Sequence, residues 1–358
     1  MTPRPEVSVV IPTRARPDLV TRAVRSALAQ TYRDLEVVVV IDGVDENTPA
    51  ALARIGDPRV RTVQLPHRTG APNARNQGVR AARGTWTALL DDDDEWHPEK
   101  LATQMALAQA TLARKTLAGK TLAGEARGST IVASRLTMRT PRADLVLPRR
   151  LPEPGEPLSE YFTVRRGLFH GDGFIQTSTI LAPTELLRRV PFAVGLPRLQ
   201  ELDWALRALE HDGVDLVFAA EPLVLWHADE NRDRISSGSP WQEMLEWLRS
   251  SRTRMTARAY AALAMSVVSS MAATTRSPRV FRMLLSDARR NGRPGLIDYV
   301  TFLQIWLLPP QVRRKLRDLV KGRRRTPEQA TSQQPVREPA GPVAGAAAQP
   351  AGLRQPAA

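Results

Sequence analysis

Strand-like and helical patterns alternate along the first part of the chain, and this alternation limits the folds open to it. Val7–Ile11 and Leu35–Ile41 are nearly continuous apolar runs, which are typical of strands buried on both faces. An amphipathic pattern at Pro17–Leu28 lies between them, and a second helix and a third strand follow at about residues 49–55 and 60–65. Strands that alternate with helices form parallel sheets with right-handed crossovers. We therefore predict an α/β fold in which helices flank a mostly parallel sheet.

A run of acidic residues follows the next predicted strand. Thr85–Leu90 reads as this strand, Asp91–Glu95 supplies five consecutive acids, and Trp96 closes the run. Neighbouring carboxylates repel one another and raise one another's pKa values. Asp91 and Asp93, two residues apart, would relieve this repulsion by holding a divalent cation together with a phosphate ligand. The alternative interpretation is a solvated acidic loop after a strand.

The carboxyl ends of the predicted strands carry further polar residues. Pro12-Thr13, Asp42-Gly43 and Asp91–Asp94 all lie where a predicted strand ends. Ligands of parallel sheets bind outside these ends, so we expect the three segments to line one crevice. Arg75, on a short helix that precedes the acidic strand, would reach a phosphate there or pair with the acids. The alternative is a surface arginine.

The elements expected beyond residue 170 are less regular. We predict a strand at Gly173–Leu181, helices at Glu185–Val190 and Gln200–Arg207, and two short strands at Val214–Phe218 and Pro222–Trp226. Glu201 and Asp203 both lie on the second of these helices. Residues two apart do not share a helix face, so at most one of these acids should point at a given substrate atom.

Composition narrows the classes of partner. The chain has 358 residues, a formal net charge of +14 and no cysteine. The charge favours an anionic partner such as a lipid surface or a phosphorylated substrate. We expect no nucleic-acid partner, because aromatics make up 5% of the residues and do not alternate with the basic ones. The lack of cysteine excludes a disulfide framework, and Met1–Glu6 lacks the pattern of a signal peptide. We therefore expect a cytoplasmic protein.

The last third of the chain changes character. Residues 241–320 show amphipathic helical patterns with tryptophans among many arginines, a pattern that suits peripheral contact with the anionic inner face of a membrane. The alternative is a small helical subdomain with a solvated basic face. Ala259–Thr275 is uncharged but too rich in Ser and Thr for a convincing membrane span. The predicted parts are a sheet domain at 1–235, a basic helical region at 236–325 and a disordered Pro-, Ala- and Gln-rich tail at 326–358.

Five ordered segments together resemble a known family. They are Val7–Thr13, Ala29–Tyr32, Asp42-Gly43, Asn73–Gly78 and Leu90–Pro98, and they are similar to the successive signatures of family-2 glycosyltransferases of the GT-A fold. The resemblance extends over roughly residues 6 to 235. It implies inverting transfer of a sugar from a UDP-, dTDP- or GDP-linked donor to an acceptor hydroxyl, with Mg²⁺ or Mn²⁺ as cofactor. It also implies a role in cell-surface polysaccharide or glycolipid synthesis.

The resemblance assigns roles position by position. Asp42 matches the acid that binds the nucleotide base, and Pro12 and Thr13 match the turn against the nucleoside. Asp91 and Asp93 match the outer acids of the Asp-any-Asp metal motif, with Asp92 between them at the nucleotide-sugar. Apart from the resemblance, we expect Arg75 to add to charge stabilisation at the diphosphate if it reaches the crevice. The chain departs from the family where Ile41-Asp42 keeps one acid of a usual pair.

Two later positions stay open in this comparison. Counting back from Arg207 places Glu201 at the general-base position, whereas aligning on Asp203-Trp204 selects Asp203. We favour Glu201 and retain both. His227 falls where some relatives place a late metal or phosphate ligand, although a histidine at a strand end is more often structural.

Two other functional classes compete with the transferase. A nucleotidyltransferase would need a glycine-rich, phosphate-binding loop after the first strand, and residues 12–17 contain no glycine. A catalytically silent scaffold with the same fold is the other alternative, and the altered segment around Glu201 and Asp203 leaves it open. The acceptor is not identified by any motif. The basic helical region suggests a glycan acceptor that is lipid-linked or close to a membrane.

Overall fold

The computed structural model describes residues 4–117, 130–141, 143–167, 172–196, 198–228, 240–309 and 312–313. The elements up to residue 147 are β1 Val7–Thr13, α1 Pro17–Leu28, β2 Leu35–Ile41, α2 Asn47–Ala53, β3 Val60–Gln64, α3 Ala71–Ala81, β4 Trp86–Leu89, β5 Asp94–Trp96, α4 Lys100–Leu117, β6 Thr130–Arg139 and β7 Leu145–Leu147. The later elements are α5 Leu158–Thr163, β8 Leu181–Pro183, α6 Thr184–Arg189, α7 Gln200–Ala208, β9 Asp215–His227, α8 Trp241–Ser250, α9 Ala257–Leu263, α10 Ser269–Ala272, α11 Pro278–Asn291 and α12 Leu296–Leu307.

The strands of the described chain form one nine-stranded sheet in the order β3-β2-β1-β4-β8-β6-β9-β5, with β7 paired to β6. The first four strands are mutually parallel, as the alternating pattern predicted. The other half is mixed, because β8 runs antiparallel to both β4 and β6, and β5 runs antiparallel to β9. Helices cover the sheet and a helical region follows it. The predicted α/β fold class with a C-terminal helical extension is confirmed.

Strand β1 shows why its sequence is apolar at every position. Val9 and Ile11 pack into the core cluster that includes α1 and α4, whereas Val10 packs into the cluster on the opposite face with α3. Both faces of the strand are therefore buried. Gly78 on α3 lies directly against this strand, since a Cβ atom there would fall 2.3 Å from Val10 Cγ1. The small residues of the segment Asn73–Gly78 allow this close packing.

The structure corrects two of the predicted strands. Gly173–Leu181 is not a strand, because Thr177–Thr179 forms a 3₁₀ turn and β8 begins only at Leu181. The side chains of Gln176 and Ser178 donate to Asp94, which belongs to the run Asp91–Glu95, here called the acidic loop. This segment therefore does not continue the backbone hydrogen bonds of the sheet. The two strands predicted at Val214–Phe218 and Pro222–Trp226 are one strand, β9, whose register with β6 shifts near Arg135.

Helix α7 lies between the sheet and the C-terminal helices. Trp204 and Ala205 pack into the core on the sheet, whereas Leu202 and Leu206 pack into a third core formed with α8 to α12. A single helix therefore links the two layers. The predicted domain boundary at residue 235 falls among residues outside the described part, as do the predicted tail at 326–358 and residues 314–325 of the predicted basic helical region.

The uncharged stretch Ala259–Thr275 lies within the helical layer. It combines α9, a π-helical turn at Ala264–Val268, α10 and a 3₁₀ turn, and residues 259 to 266 are buried throughout. Its apolar side chains therefore serve a protein core. Among the described residues, no helix combines the length and the apolar character needed to cross a bilayer.

Candidate active site

The four aspartates after β4 have different environments. Asp94 is fully buried and Asp92 nearly so. The side chains of Asp91 and Asp93 keep 23% and 31% of their surface exposed. The two outer carboxylates of the acidic motif are therefore the ones that a ligand in the crevice can approach.

Burial changes the ionisation of the two inner acids. Burial, followed by the charge of Asp93, raises the pKa of Asp92 to about 6, although the Thr13 hydroxyl donates to it at 2.7 Å. Burial also raises the pKa of Asp94 well above its usual range, and the charges of Asp91 and Asp93 add to this effect. The two inner acids therefore favour their neutral forms, because ionising them would add charge beside Asp91 and Asp93, and a cation bound to the outer acids would relieve this repulsion.

Arginines from two helices reach this loop. Arg16 Nη1, just before α1, lies 3.3 Å from Asp92 Oδ1 and 3.5 Å from Asp93 Oδ2. Arg75, on α3, is 5% exposed and donates from Nη2 to Asp91 Oδ1 at 2.7 Å and from Nη1 to Gln200 Oε1 at 2.9 Å. Burial would lower the pKa of Arg75, but the carboxylates of Asp91 and Glu201 outweigh it and raise the pKa. Arg75 therefore links the acidic loop to the start of α7.

The turn at residues 176–178 forms a second link. Gln176 Nε2 donates to Asp94 Oδ2 at 2.7 Å, and the Ser178 hydroxyl donates to the same oxygen at 2.6 Å. The Thr177 hydroxyl donates to Glu201 Oε1. One turn therefore fixes the position of the acidic loop relative to Glu201.

The two candidate bases on α7 point in different directions. Within the described residues, Thr177 is the hydrogen-bond partner of Glu201, which leaves one carboxylate oxygen of this half-buried residue without a partner. Both oxygens of Asp203 are occupied, since Arg207 donates to Oδ2 at 2.7 and 2.9 Å and Trp247 Nε1 donates to Oδ1 at 2.8 Å. Glu201 faces the acidic loop, and Asp203 faces the C-terminal helices.

The carboxyl ends of β1 and β2 lie beside this loop. The Asp42 backbone N–H donates to the Thr13 carbonyl at 2.9 Å, and Pro12 is buried in β1. The Asp42 carboxylate accepts from the Thr69 and Gly70 backbone N–H groups at 2.7 and 2.9 Å. These contacts support a role for Asp42 in anchoring the loop before α3. Its base-binding role stays a prediction.

His227 ends β9 on the other side of the loop. Its Nε2 lies 2.7 Å from Glu95 Oε1, and Arg22 Nε lies 3.5 Å from the same oxygen. The described residues contain no group of three or more His, Asp or Glu side chains arranged to hold a metal ion. The carboxylates of Asp91 and Asp93 are nevertheless hard oxygen donors, the type of ligand that Mg²⁺ and Mn²⁺ prefer, so these residues fit such an ion.

Several side chains at the candidate site were not identified from the sequence. Arg16 precedes α1 and Arg22 lies on it, and their spacing in the sequence does not indicate a contact with distant acids. In the structure Arg16 contacts Asp92 and Arg22 contacts Glu95. The segment Gln176–Thr179 does carry a signal, because four consecutive polar residues are unusual in a strand buried on both faces. A polar run of this kind between apolar segments favours a turn that makes side-chain hydrogen bonds.

Comparison with protein families gives a match over the first part of the chain. Residues 8–150 match the model of the family described as glycosyl transferase family 2. This segment contains β1 apart from Val7, the strands β2 to β7 and the whole acidic loop, but it ends before Gln176, Glu201 and His227.

Three curated proteins illustrate the relationship. The chain is 44% identical over 106 residues to the succinoglycan biosynthesis protein ExoO of Rhizobium meliloti (strain 1021), a match that covers 30% of each chain. It is 26% identical over 257 residues to the amylovoran biosynthesis glycosyltransferase AmsB of Erwinia amylovora, covering 70% of this chain and 79% of AmsB. It is 32% identical over 99 residues to the UDP-Glc:alpha-D-GlcNAc-diphosphoundecaprenol beta-1,3-glucosyltransferase WfaP of Escherichia coli, covering 28% of this chain and 39% of WfaP. The chain thus spans about a third of ExoO and of WfaP, and most of AmsB.

Proposed function

Because residues 8–150 match the model of glycosyl transferase family 2, we propose that this protein is an inverting glycosyltransferase that uses a nucleotide-diphosphate sugar as donor. The observation that carries the proposal is the pair of links between the acidic loop and α7. Arg75 donates hydrogen bonds to both Asp91 and Gln200. In the turn at residues 176–178, Gln176 and Ser178 donate to Asp94, and Thr177 between them donates to Glu201. A diphosphate site and a carboxylate base are thereby held in one crevice.

The acidic loop would bind the diphosphate of the donor. Asp91 and Asp93 would hold Mg²⁺ or Mn²⁺, which supplies Lewis-acid stabilisation of the negative charge that grows on the leaving diphosphate. Arg75 Nη2 lies 2.7 Å from Asp91 Oδ1, and Arg16 Nη1 lies 3.5 Å from Asp93 Oδ2. Both lie where they keep the two carboxylates oriented towards the crevice.

Glu201 would act as the general base. As the acceptor oxygen bonds to the anomeric carbon and the bond to the diphosphate breaks, the proton of the acceptor hydroxyl moves to the carboxylate of Glu201. Thr177 holds one oxygen of that carboxylate in place, and the other oxygen is open to the acceptor. A single displacement needs only this base and gives inversion, whereas retention would need a separate nucleophile.

The names of the relatives support a proposal for the donor and the acceptor. ExoO and AmsB are named for polysaccharide biosynthesis, and WfaP is named for a UDP-glucose donor and a diphosphoundecaprenol-linked acceptor. We extend this to the present chain as a UDP-sugar donor and a lipid-linked glycan acceptor in cell-surface polysaccharide synthesis. An acceptor anchored in a lipid layer would require the enzyme to act at the membrane surface.

Donor hydrolysis tests this proposal directly. Purified full-length protein is incubated with UDP-, dTDP- and GDP-linked sugars, with Mn²⁺ or with EDTA, and released nucleoside diphosphate is measured. We expect slow, metal-dependent release from one donor, and its loss in Asp93→Ala. Addition of a diphosphate-lipid-linked glycan should increase the rate, and Glu201→Gln should remove that increase.

The same samples distinguish the alternatives. Calorimetric binding of a nucleotide-sugar without turnover, even with the lipid-linked glycan present, would favour a silent scaffold. Release of inorganic pyrophosphate from a nucleoside triphosphate and a sugar phosphate would favour a nucleotidyltransferase. Absence of any nucleotide-sugar binding would contradict the assignment.

A further inference from the structure

One helix of the C-terminal layer exposes an apolar stripe. On α12, Leu296, Leu303 and Leu307 are 80%, 45% and 71% exposed. Together with the half-buried Val300 they recur at the spacing of one helical face. The opposite face of α12, which includes Phe302, is buried in the helical core. The exposed leucines are therefore not required to fill that core.

A band of arginines lies beside this stripe on α11. Arg279, Arg282, Arg289 and Arg290 are all exposed and fall on one side of the helix. The two helices are in direct contact, since Arg289 Nε lies 3.1 Å from the Tyr299 hydroxyl. Additional exposed arginines flank the band, at positions 276 and 293. The result is a basic band next to an apolar stripe.

Acidic residues do not neutralise this band from within its own segment. Between residues 257 and 309 the sequence contains only two acids, Asp287 and Asp298. Asp287 is buried and bonded to Arg249 and Tyr260, and Asp298 is buried and bonded to Arg258. The exposed charge that this segment contributes is therefore entirely positive.

We propose that α11 and α12 form a membrane-docking surface that binds anionic phospholipid bilayers. The leucine stripe enters the boundary between head groups and acyl chains, and the arginine band binds the lipid phosphates. Apolar insertion beside a basic face is the pattern by which helices lie on anionic bilayers. The partner is a lipid surface because the two features occur side by side: an apolar protein partner would require the stripe alone, and a soluble phosphate the arginines alone. The inference rests on the proposed function in one respect: docking would give the enzyme access to a lipid-linked acceptor.

Vesicle flotation tests the surface without using catalysis. Full-length protein is mixed with vesicles of phosphatidylcholine alone or with phosphatidylglycerol, and the floating fraction is measured at low and high salt. We expect binding to the anionic vesicles only, weakened by salt. Arg279→Gln with Arg282→Gln should weaken partitioning about 25-fold, since each basic residue contributes roughly fivefold near an anionic surface. Leu303→Asp with Leu307→Asp should abolish flotation at every salt concentration.

Matched substitutions elsewhere serve as controls. Leu117→Asp places the same change at an 88% exposed leucine at the end of α4, and Arg54→Gln with Arg80→Gln removes two exposed arginines from the sheet layer. Both should float like the wild type. Equal losses in test and control variants, or no binding to anionic vesicles, would overturn the proposal. Self-association that disappears in Leu303→Asp with Leu307→Asp would instead assign the stripe to a second copy of the chain. Donor hydrolysis, measured separately, shows whether the transferase assignment survives any of these outcomes.

Discussion

Carboxylates meet arginines in two regions of this molecule, and the two regions use them differently. In the helical layer each buried aspartate has its own set of donors: Asp203 is bonded to Arg207 and Trp247, and Asp287 to Arg249 and Tyr260. In the acidic loop, three arginines of the described chain (Arg16, Arg22 and Arg75) contact four of the five acids, and Asp91, Asp93 and Glu95 stay partly exposed.

From this difference we infer which acids are structural and which are available to a ligand. A buried acid with every oxygen satisfied stabilises a contact and has no capacity left for a ligand. An acid that competes for donors and keeps exposed oxygen atoms holds negative charge that a cation or a substrate proton can take up. We therefore expect substitutions in the loop to affect catalysis, and substitutions in the helical layer to affect stability.

Glu201→Gln provides the largest expected effect. Loss of the general base should lower the rate of sugar transfer by about 10²- to 10⁴-fold while donor binding stays unchanged. The matched variant is Asp203→Asn on the same helix, which should keep the transfer rate within about tenfold but lower the unfolding midpoint. Transfer assays and thermal melts on both variants check this. A larger loss of rate in Asp203→Asn than in Glu201→Gln would exchange the two roles.

Asp93→Asn should have the next largest effect. Removal of one charge that supports the leaving diphosphate should lower turnover by about 10²- to 10³-fold, the range seen when one stabilising group of a transition state is removed. Stability should change little, because the Asp93 side chain is 31% exposed. Donor hydrolysis at increasing Mn²⁺ concentrations is the measurement, with Glu210→Gln as the control for loss of an acid elsewhere. Unchanged metal dependence in Asp93→Asn would remove this residue from the proposed metal site.

Asp92→Asn should increase stability. Because the pKa of Asp92 is raised to about 6 in the folded protein, this group favours folding below its unfolded pKa and loses that contribution as the pH rises through the folded value. At pH 7 the ionised Asp92 side chain lowers the free energy of unfolding by about 2 to 3 kcal/mol. Asn carries no charge and avoids this loss. Chemical unfolding at pH 4 to 8 in EDTA should give curves that coincide near pH 4 and separate up to about pH 7. Parallel curves would show that Asp92 does not titrate in this range.

The comparison also explains which features were predictable from sequence. The apolar runs Val7–Ile11 and Leu35–Ile41 predict parallel strands, because a strand that is buried on both faces needs continuous apolar residues. The position of a ligand crevice at the carboxyl ends of strands follows from the geometry of parallel sheets. The second half of the sheet was harder to predict, since β8 has only three residues and its neighbour Thr177–Thr179 is polar.

Side-chain direction within the site was not predictable. Sequence spacing shows that Glu201 and Asp203 cannot share a face of α7, but it does not show which face lies towards the acidic loop. That choice is made by packing, because Leu202 and Leu206 turn towards the C-terminal helices and bring Asp203 within reach of Trp247. Contacts between distant segments, such as Arg16 with Asp92, likewise depend on a tertiary arrangement that no local pattern encodes.

Trp247→Phe should have the smallest effect of these four predictions. It tests most directly whether Asp203 has a structural role, in contrast to the acids of the acidic loop. The indole N–H donates to Asp203 Oδ1 at 2.8 Å, and Phe keeps most of the packing while removing this donor. The expected loss in unfolding free energy is about 1.5 kcal/mol, at the lower end for a hydrogen bond to a charged group, because Arg207 still pairs with Asp203. The rate with a saturating acceptor should stay close to that of the wild type, since Asp203 faces away from the acidic loop. A double-mutant cycle with Asp203→Asn, followed by thermal unfolding and transfer assays, isolates the pair. Coupling in stability without coupling in rate would support a structural role for this pair, whereas coupling in rate would mean that the C-terminal helices help to orient Glu201.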